Sequence, residues 1–141
     1  MSKEYIRQQI VSVKRQINNK NCELRELEEK LDVLMEFSEK CNRKADSFQH
    51  SVQQRKRKLS SLGSLIDRIK SVAKYNEQMS GLLNGSEYNK SQRSIDDIMD
   101  KISEEKRKLM QKISTTESDI KNLNYRLRRL QYQYNNYKEE T

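Results

Sequence analysis

The stretch Met79-Ser80-Gly81-Leu82-Leu83-Asn84-Gly85-Ser86 decides how the chain is read. It holds two of the three glycines, and the 141 residues contain no proline. Glycine accepts the left-handed backbone that ends helices, and Asn-Gly is a common dipeptide at chain reversals. Charged sequence with apolar residues at helical spacing flanks it on both sides. The expectation is a single all-α domain: a first arm over residues 3–78, a turn over 79–87, and a second arm over 88–138 running back.

Upstream of the turn, alternate steps of four and three from Ile6 trace one register. It passes through Ile10, Val13, Ile17, Lys20, Leu24, Leu27, Leu31, Leu34, Ser38, Cys41, Ala45, Phe48 and Val52, then Arg55, Leu59, Leu62, Ile66, Ile69, Ala73 and Asn76. Only Lys20, Ser38, Arg55 and Asn76 interrupt it with polar or charged side chains. A strict mean spacing of 3.5 keeps the apolar stripe facing a partner helix, which is the signature of a coiled coil. An unpaired helix would drift from that stripe by about 20° per heptad. Ser60-Ser61-Leu62-Gly63-Ser64 is a soft stretch, so a break near residues 60–64 is a further expectation.

Downstream, the same stepping from Tyr88 reaches Gln92, Ile95, Met99, Ile102, Lys106, Leu109, Ile113, Thr116, Ile120, Leu123, Leu127, Leu130, Tyr134 and Tyr137. Ser94 ahead of Asp96 and Asp97 reads as a cap with acids in the first turn. The fold expected is a long antiparallel coiled-coil hairpin with unequal arms. Reversal about residue 83 pairs residue n with roughly 166 minus n, which brings Tyr137 only to about residue 29. Ile6, Ile10, Val13, Ile17 and Leu24 are then without an internal partner, at about 1.5–3 kcal/mol per exposed large side chain. With Leu27 and Leu31 they form the expected partner-binding stripe, to be covered by a second copy, by a helical partner chain, or by a break near Gly63 that refolds the first arm onto itself.

Composition agrees with a thin seam. Only 33% of the chain is hydrophobic and 35% is charged. No apolar run approaches the roughly 20 residues a membrane-spanning helix needs, and the N-terminus lacks the apolar core of a signal peptide. Cytoplasmic synthesis is expected. The formal charge is +8, with 16 Lys/Arg against 10 Asp/Glu in residues 1–70 and 13 against 11 in residues 71–141. Acids interleave with bases nearly throughout, as on a solvated helix face. Cys22 and Cys41 on one helix would be roughly 28 Å apart, far beyond disulfide reach.

Chemistry is sparse. His50 is the only histidine and has no companions at metal-ligand spacing. Neither cysteine has a neighbouring histidine, and no glycine-rich phosphate loop is present. An enzyme is not expected, and neither metal nor cofactor. Arg55-Lys56-Arg57-Lys58 is the sharpest basic run, and the fold-back sets it against Lys106-Arg107-Lys108. Without interleaved aromatics it reads as a solubilising face, so nucleic acid is not the favoured partner. Tyr125, Tyr132, Tyr134 and Tyr137 suit either an interface or seam packing.

The stretch Leu83-Asn84-Gly85-Ser86-Glu87-Tyr88-Asn89-Lys90, followed by Ile95-Asp96-Asp97-Ile98 and by Ile113 to Leu130, resembles the YwqH-like small helical proteins encoded beside LXG toxins in type VII secretion loci. Leu83, Asn84, Gly85 and Tyr88 occupy the place of that family's Trp-x-Gly-type turn motif. Leu83 stands where the family has Trp, and Ser91 where it often has Phe; the tail lacks a Tyr-x-x-x-Asp/Glu export signal. The resemblance implies a non-enzymatic adaptor laid along the helical N-terminal domain of an LXG effector, with a second small helical protein as a further partner and export alongside the effector. A self-associating homodimeric coiled coil is one alternative, and a basic nucleic-acid-binding coiled coil another.

Overall fold

The computed structural model describes residues 2–66 and 70–138. They form an all-α antiparallel hairpin of three helices: α1 (Lys3–Ile66), α2 (Lys70–Asn84) and α3 (Ser86–Asn135). One long helix is thus faced by a second, bent arm. The chain divides into two compact units, residues 1–33 with 105–141 as unit 1, and residues 34–104 as unit 2.

The α1 start is set by Ser2, whose Oγ accepts a hydrogen bond from the Tyr5 amide at 3.1 Å. This is a helix N-cap, satisfying one of the orphan donors of the first turn. Glu4 adds an acid in that turn and bridges Arg7 at 2.9 Å. No break occurs at 60–64; the helix runs through Gly63 to Ile66.

The reversal does not lie at 79–87. Residues 79–84 are the end of α2, Gly85 is a single bend, and Ser86 and Glu87 already belong to α3. The expected first arm of 3–78 therefore divides, with α1 on one side of the hairpin and α2 on the other. Leu59 of α1 and Leu83 of α2 share one apolar cluster, so α2 already belongs to the returning arm. Residues 67–69 lie outside the described ones. The arms are also nearly equal: α1 has 64 residues, and α2 and α3 have 15 and 50.

In unit 1 the register is read from three cross-arm contacts. Lys3 Nζ sits 4.7 Å from the Tyr134 ring centre, Arg126 donates to Gln9 Oε1 at 3.2 Å, and Lys20 Nζ lies 3.5 Å from Asp119 Oδ2. The paired numbers sum to 137, 135 and 139, not to 166. Ile6 is 3% exposed and Val13 1% exposed. The stripe expected to stand open is covered by the chain's own second arm. Thr116 is the buried polar residue opposite, and its hydroxyl donates to the Lys112 carbonyl at 2.8 Å, so its burial leaves no hydrogen bond unmade.

In unit 2 the same seam meets an irregularity. Val52, Leu59 and Leu83 are buried together, with Phe48, Met79 and Tyr88 packed around them. Leu83 and Tyr88 are five residues apart, and five residues of straight helix would rotate Tyr88 about 140° away from Leu83's face. The bend at Gly85 removes that rotation, so both side chains reach α1. No described residue has a positive φ. Glycine is needed here for proximity, since a Cβ on Gly85 would run into the Gly81 carbonyl. Gly81 itself has open space where its own Cβ would stand.

Candidate interaction site

The seven stripe residues lie in the seam of unit 1. Ile6 and Val13 are buried, and Ile10, Ile17, Leu24, Leu27 and Leu31 are half-buried at the α1–α3 seam of unit 1. Two helices cover a seam from one side only, which is why five of the seven keep an open flank.

The turn motif is structural as well. Leu83 is 8% exposed, Asn84 closes α2 and Gly85 makes the bend. Tyr88 stacks on Phe48 with ring centres 5.9 Å apart and planes 20° from parallel. Its hydroxyl donates to Gln49 Oε1 at 2.9 Å, while the Gln49 amide donates to Gln92 Oε1. Gln92 in turn donates to Asp96 at 3.2 Å. Lys56 places its ammonium 5.4 Å from the Tyr88 ring centre, the geometry of a cation–π contact. This polar chain ties α1 to the first turns of α3, and Ser94, expected as a helix cap, is interior to α3.

Lys56 also corrects the seam. Arg55 is exposed and Lys56 half-buried, so the inward position between Val52 and Leu59 comes four residues after Val52 instead of three. The two basic clusters are not paired as expected: Arg55–Lys58 belongs to unit 2 and Lys106–Lys108 to unit 1. Lys108 instead lines a polar depression of unit 1 with Lys20, Lys30, Lys112, Glu23, Glu26 and Asp119. There Lys20 bridges Glu23 at 3.2 Å and Asp119 at 3.5 Å. The hydrogen bond to Glu23, its charge and that of Asp119 hold the Lys20 ammonium above the ordinary lysine range.

An open apolar surface appears where sequence reasoning did not look. In unit 2, Cys41, Ala45 and Phe48 of α1 and Ser91, Ser94, Ile95, Ile98 and Met99 of α3, with the Lys44 stem, line a groove of about 480 Å³. Four of these residues are small, which keeps the groove open between the helices. Ile98 is 46% exposed at its edge. The sequence signal was available: Ile98 lies outside the seam register in a helix otherwise polar on that flank.

Among the described residues no group of three His, Cys, Asp or Glu could hold a metal, and no helix is long and apolar enough to cross a membrane. Both cysteines are free, Cys22 exposed and Cys41 half-buried. Comparison of the chain with known protein families, with curated proteins and with solved structures returns no match.

Proposed function

We propose that the chain is a non-enzymatic adaptor that docks a helix of a partner protein, and that this partner is the helical N-terminal domain of an LXG toxin of a type VII secretion system. The resemblance at Leu83 to Lys90 and Ile95 to Ile98 supports the partner class. The observation that carries a docking role is the unit 2 groove, lined by Cys41, Ala45, Phe48, Ile95 and Met99 and edged by the exposed Ile98. A third helix laid there would bury alternate turns of apolar side chains in the manner of helix-in-groove recognition. The N-terminal stripe no longer supports the role, because Ile6 and Val13 are shut within unit 1.

Co-expression with the helical N-terminal domain of an LXG toxin tests the proposal, read by size exclusion with light scattering. A stoichiometric complex is expected, lost in Ile98→Asp, which the open groove edge tolerates without unfolding. A tight homodimer that ignores the effector and is broken by Ile98→Asp would instead make the groove a self-association face. Leu27→Asp and Leu31→Asp probe folding and not docking, since both positions belong to the seam.

A further inference from the structure

Antiparallel pairing in unit 1 brings together two stretches from opposite ends of the sequence. Residues 5–22 carry Arg7, Lys14, Arg15 and Lys20 and no acid; residues 120–138 carry Lys121, Arg126, Arg128, Arg129 and Lys138 and no acid. The contacts of Lys3 with Tyr134 and of Arg126 with Gln9 place the two stretches side by side. Together they hold a charge of +9, whereas the rest of the chain sums to −1. At the acid density of that remainder, about seven carboxylates would fall in these 37 positions. Glu4 and Glu23 border the first stretch and Asp119 and Glu139 the second; Glu4 bridges Arg7, and Glu23 and Asp119 bridge Lys20.

Aromatic rings stand open in the same place. Tyr125 is 63% and Tyr132 71% exposed, and with Arg128, Arg129 and Gln133 they line a shallow depression of about 410 Å³ on α3. Tyr125, Arg128 and Tyr132 follow one another at helical spacing, so guanidinium and rings alternate along one face. Tyr5 is 47% exposed at the α1 end. Buried tyrosines would be seam packing, but these are not buried.

We propose that this end of unit 1 binds single-stranded nucleic acid, with the phosphates along the paired basic stretches and unpaired bases against Tyr125 and Tyr132. A polyphosphate carries charge on every repeat, so any carboxylate along its path repels it; an acidic protein presents discrete charges and tolerates mixed signs. Exposed rings beside arginines provide sequence-tolerant stacking for bases that are not already paired. Residues 47–66 of unit 2 are also basic and acid-free, but the helices opposite carry Glu77 and Glu87. Only in unit 1 do two acid-free stretches lie side by side.

Fluorescence anisotropy of the full chain decides this. The probes are a labelled oligo(dT) of about 30 nucleotides, a duplex of equal length and labelled polyglutamate, titrated between about 50 and 300 mM NaCl. The oligo(dT) should bind best, weakening steeply with salt. Arg128→Gln with Arg129→Gln should weaken it about tenfold and flatten the log–log salt slope by about 1.4, the value for two phosphate contacts on a single strand. Lys14→Gln with Arg15→Gln should act alike from the other arm. Tyr125→Ala with Tyr132→Ala should weaken it about tenfold with the slope unchanged. Arg55→Gln with Arg57→Gln, removing the same charge from unit 2, should change affinity less than about twofold. Circular dichroism checks that each variant keeps its helix. No binding at the lowest salt, equal or tighter binding of polyglutamate or of the duplex, or an equal loss from the unit 2 variants would each overturn the proposal; polyglutamate preference would point to an acidic protein.

Discussion

Unit 1 and unit 2 are each built on a helix–helix seam, and the two seams solve different problems. In unit 1 both arms step by threes and fours without a slip, and every register position from Ile6 to Leu31 and from Leu109 to Tyr137 is buried or half-buried. Unit 2 has a five-residue step between Leu83 and Tyr88, absorbed at one glycine, and fills the disturbed seam with Phe48, Met79 and Tyr88. Regular spacing needs no backbone device, and the polar cross-arm contacts of unit 1, such as Lys20 with Asp119 and Arg126 with Gln9, lie at its surface. Irregular spacing needs a backbone device and a polar tie, here Gly85 and the Tyr88–Gln49–Gln92 chain. The two basic regions differ similarly: one is acid-free on both arms, the other on only one.

The largest expected effect tests whether unit 1 depends on its seam. Val13→Asp puts a charge at a position 1% exposed and should cost about 4 kcal/mol or more, read by urea denaturation monitored at 222 nm. A loss below about 1 kcal/mol would mean that the seam there is open. Next comes the glycine device. Gly85→Ala should destabilise by about 1–3 kcal/mol because the methyl meets the Gly81 carbonyl, although alanine is the better helix former. Gly81→Ala, with open space around it, should stabilise by about 0.5–1 kcal/mol. If both alanines stabilise, the bend is not held by proximity.

Smaller effects sharpen the contrast at the unit 1 seam. Lys20→Leu should raise the thermal midpoint slightly, since a seam position gains apolar contact and the lost ion pairs are largely exposed. The pH dependence should be smallest. Lys20 titrates above its ordinary 10.5, so its contribution is fully present below that value and fades only as pH rises through the raised one. Lys20 should thus add no slope to the thermal midpoint between about pH 6 and 9, and a Lys20→Met comparison checks this.

The seam was legible almost residue by residue, because burial at 3.5-residue spacing is a local property that the pattern of side chains states directly. Every register position of the second arm from Tyr88 to Tyr137 is buried or half-buried, and so is the first arm from Ile6 to Val52. Arg55 failed because four-then-three and three-then-four stepping both bridge Val52 to Leu59, and the ring of Tyr88, distant in sequence, favoured Lys56. The place of reversal was legible only as one alternative, a first arm refolding on itself near Gly63, while local propensity favoured residues 79–87. A coiled-coil stripe says that a helix has a partner, not which segment supplies it, and Leu62, Ile66, Ile69 and Ala73 continue it without a breaker. Asn84-Gly85 looked like a turn on local propensity, while the need to bring Leu83 and Tyr88 onto one face decided its conformation. The Ile98 groove and the doubly acid-free end depend on which residues the hairpin sets side by side, and so follow only once the register is known.

The bend at Gly85 works as a vernier between two gear trains. Removing that one residue would leave Leu83 and Tyr88 four apart, on the same side of an uninterrupted helix, so the surplus residue and its correction cancel. A variant lacking Gly85 should therefore keep both Leu83 against Leu59 and the Tyr88 clasp on Gln49, now carried by one unbroken helix.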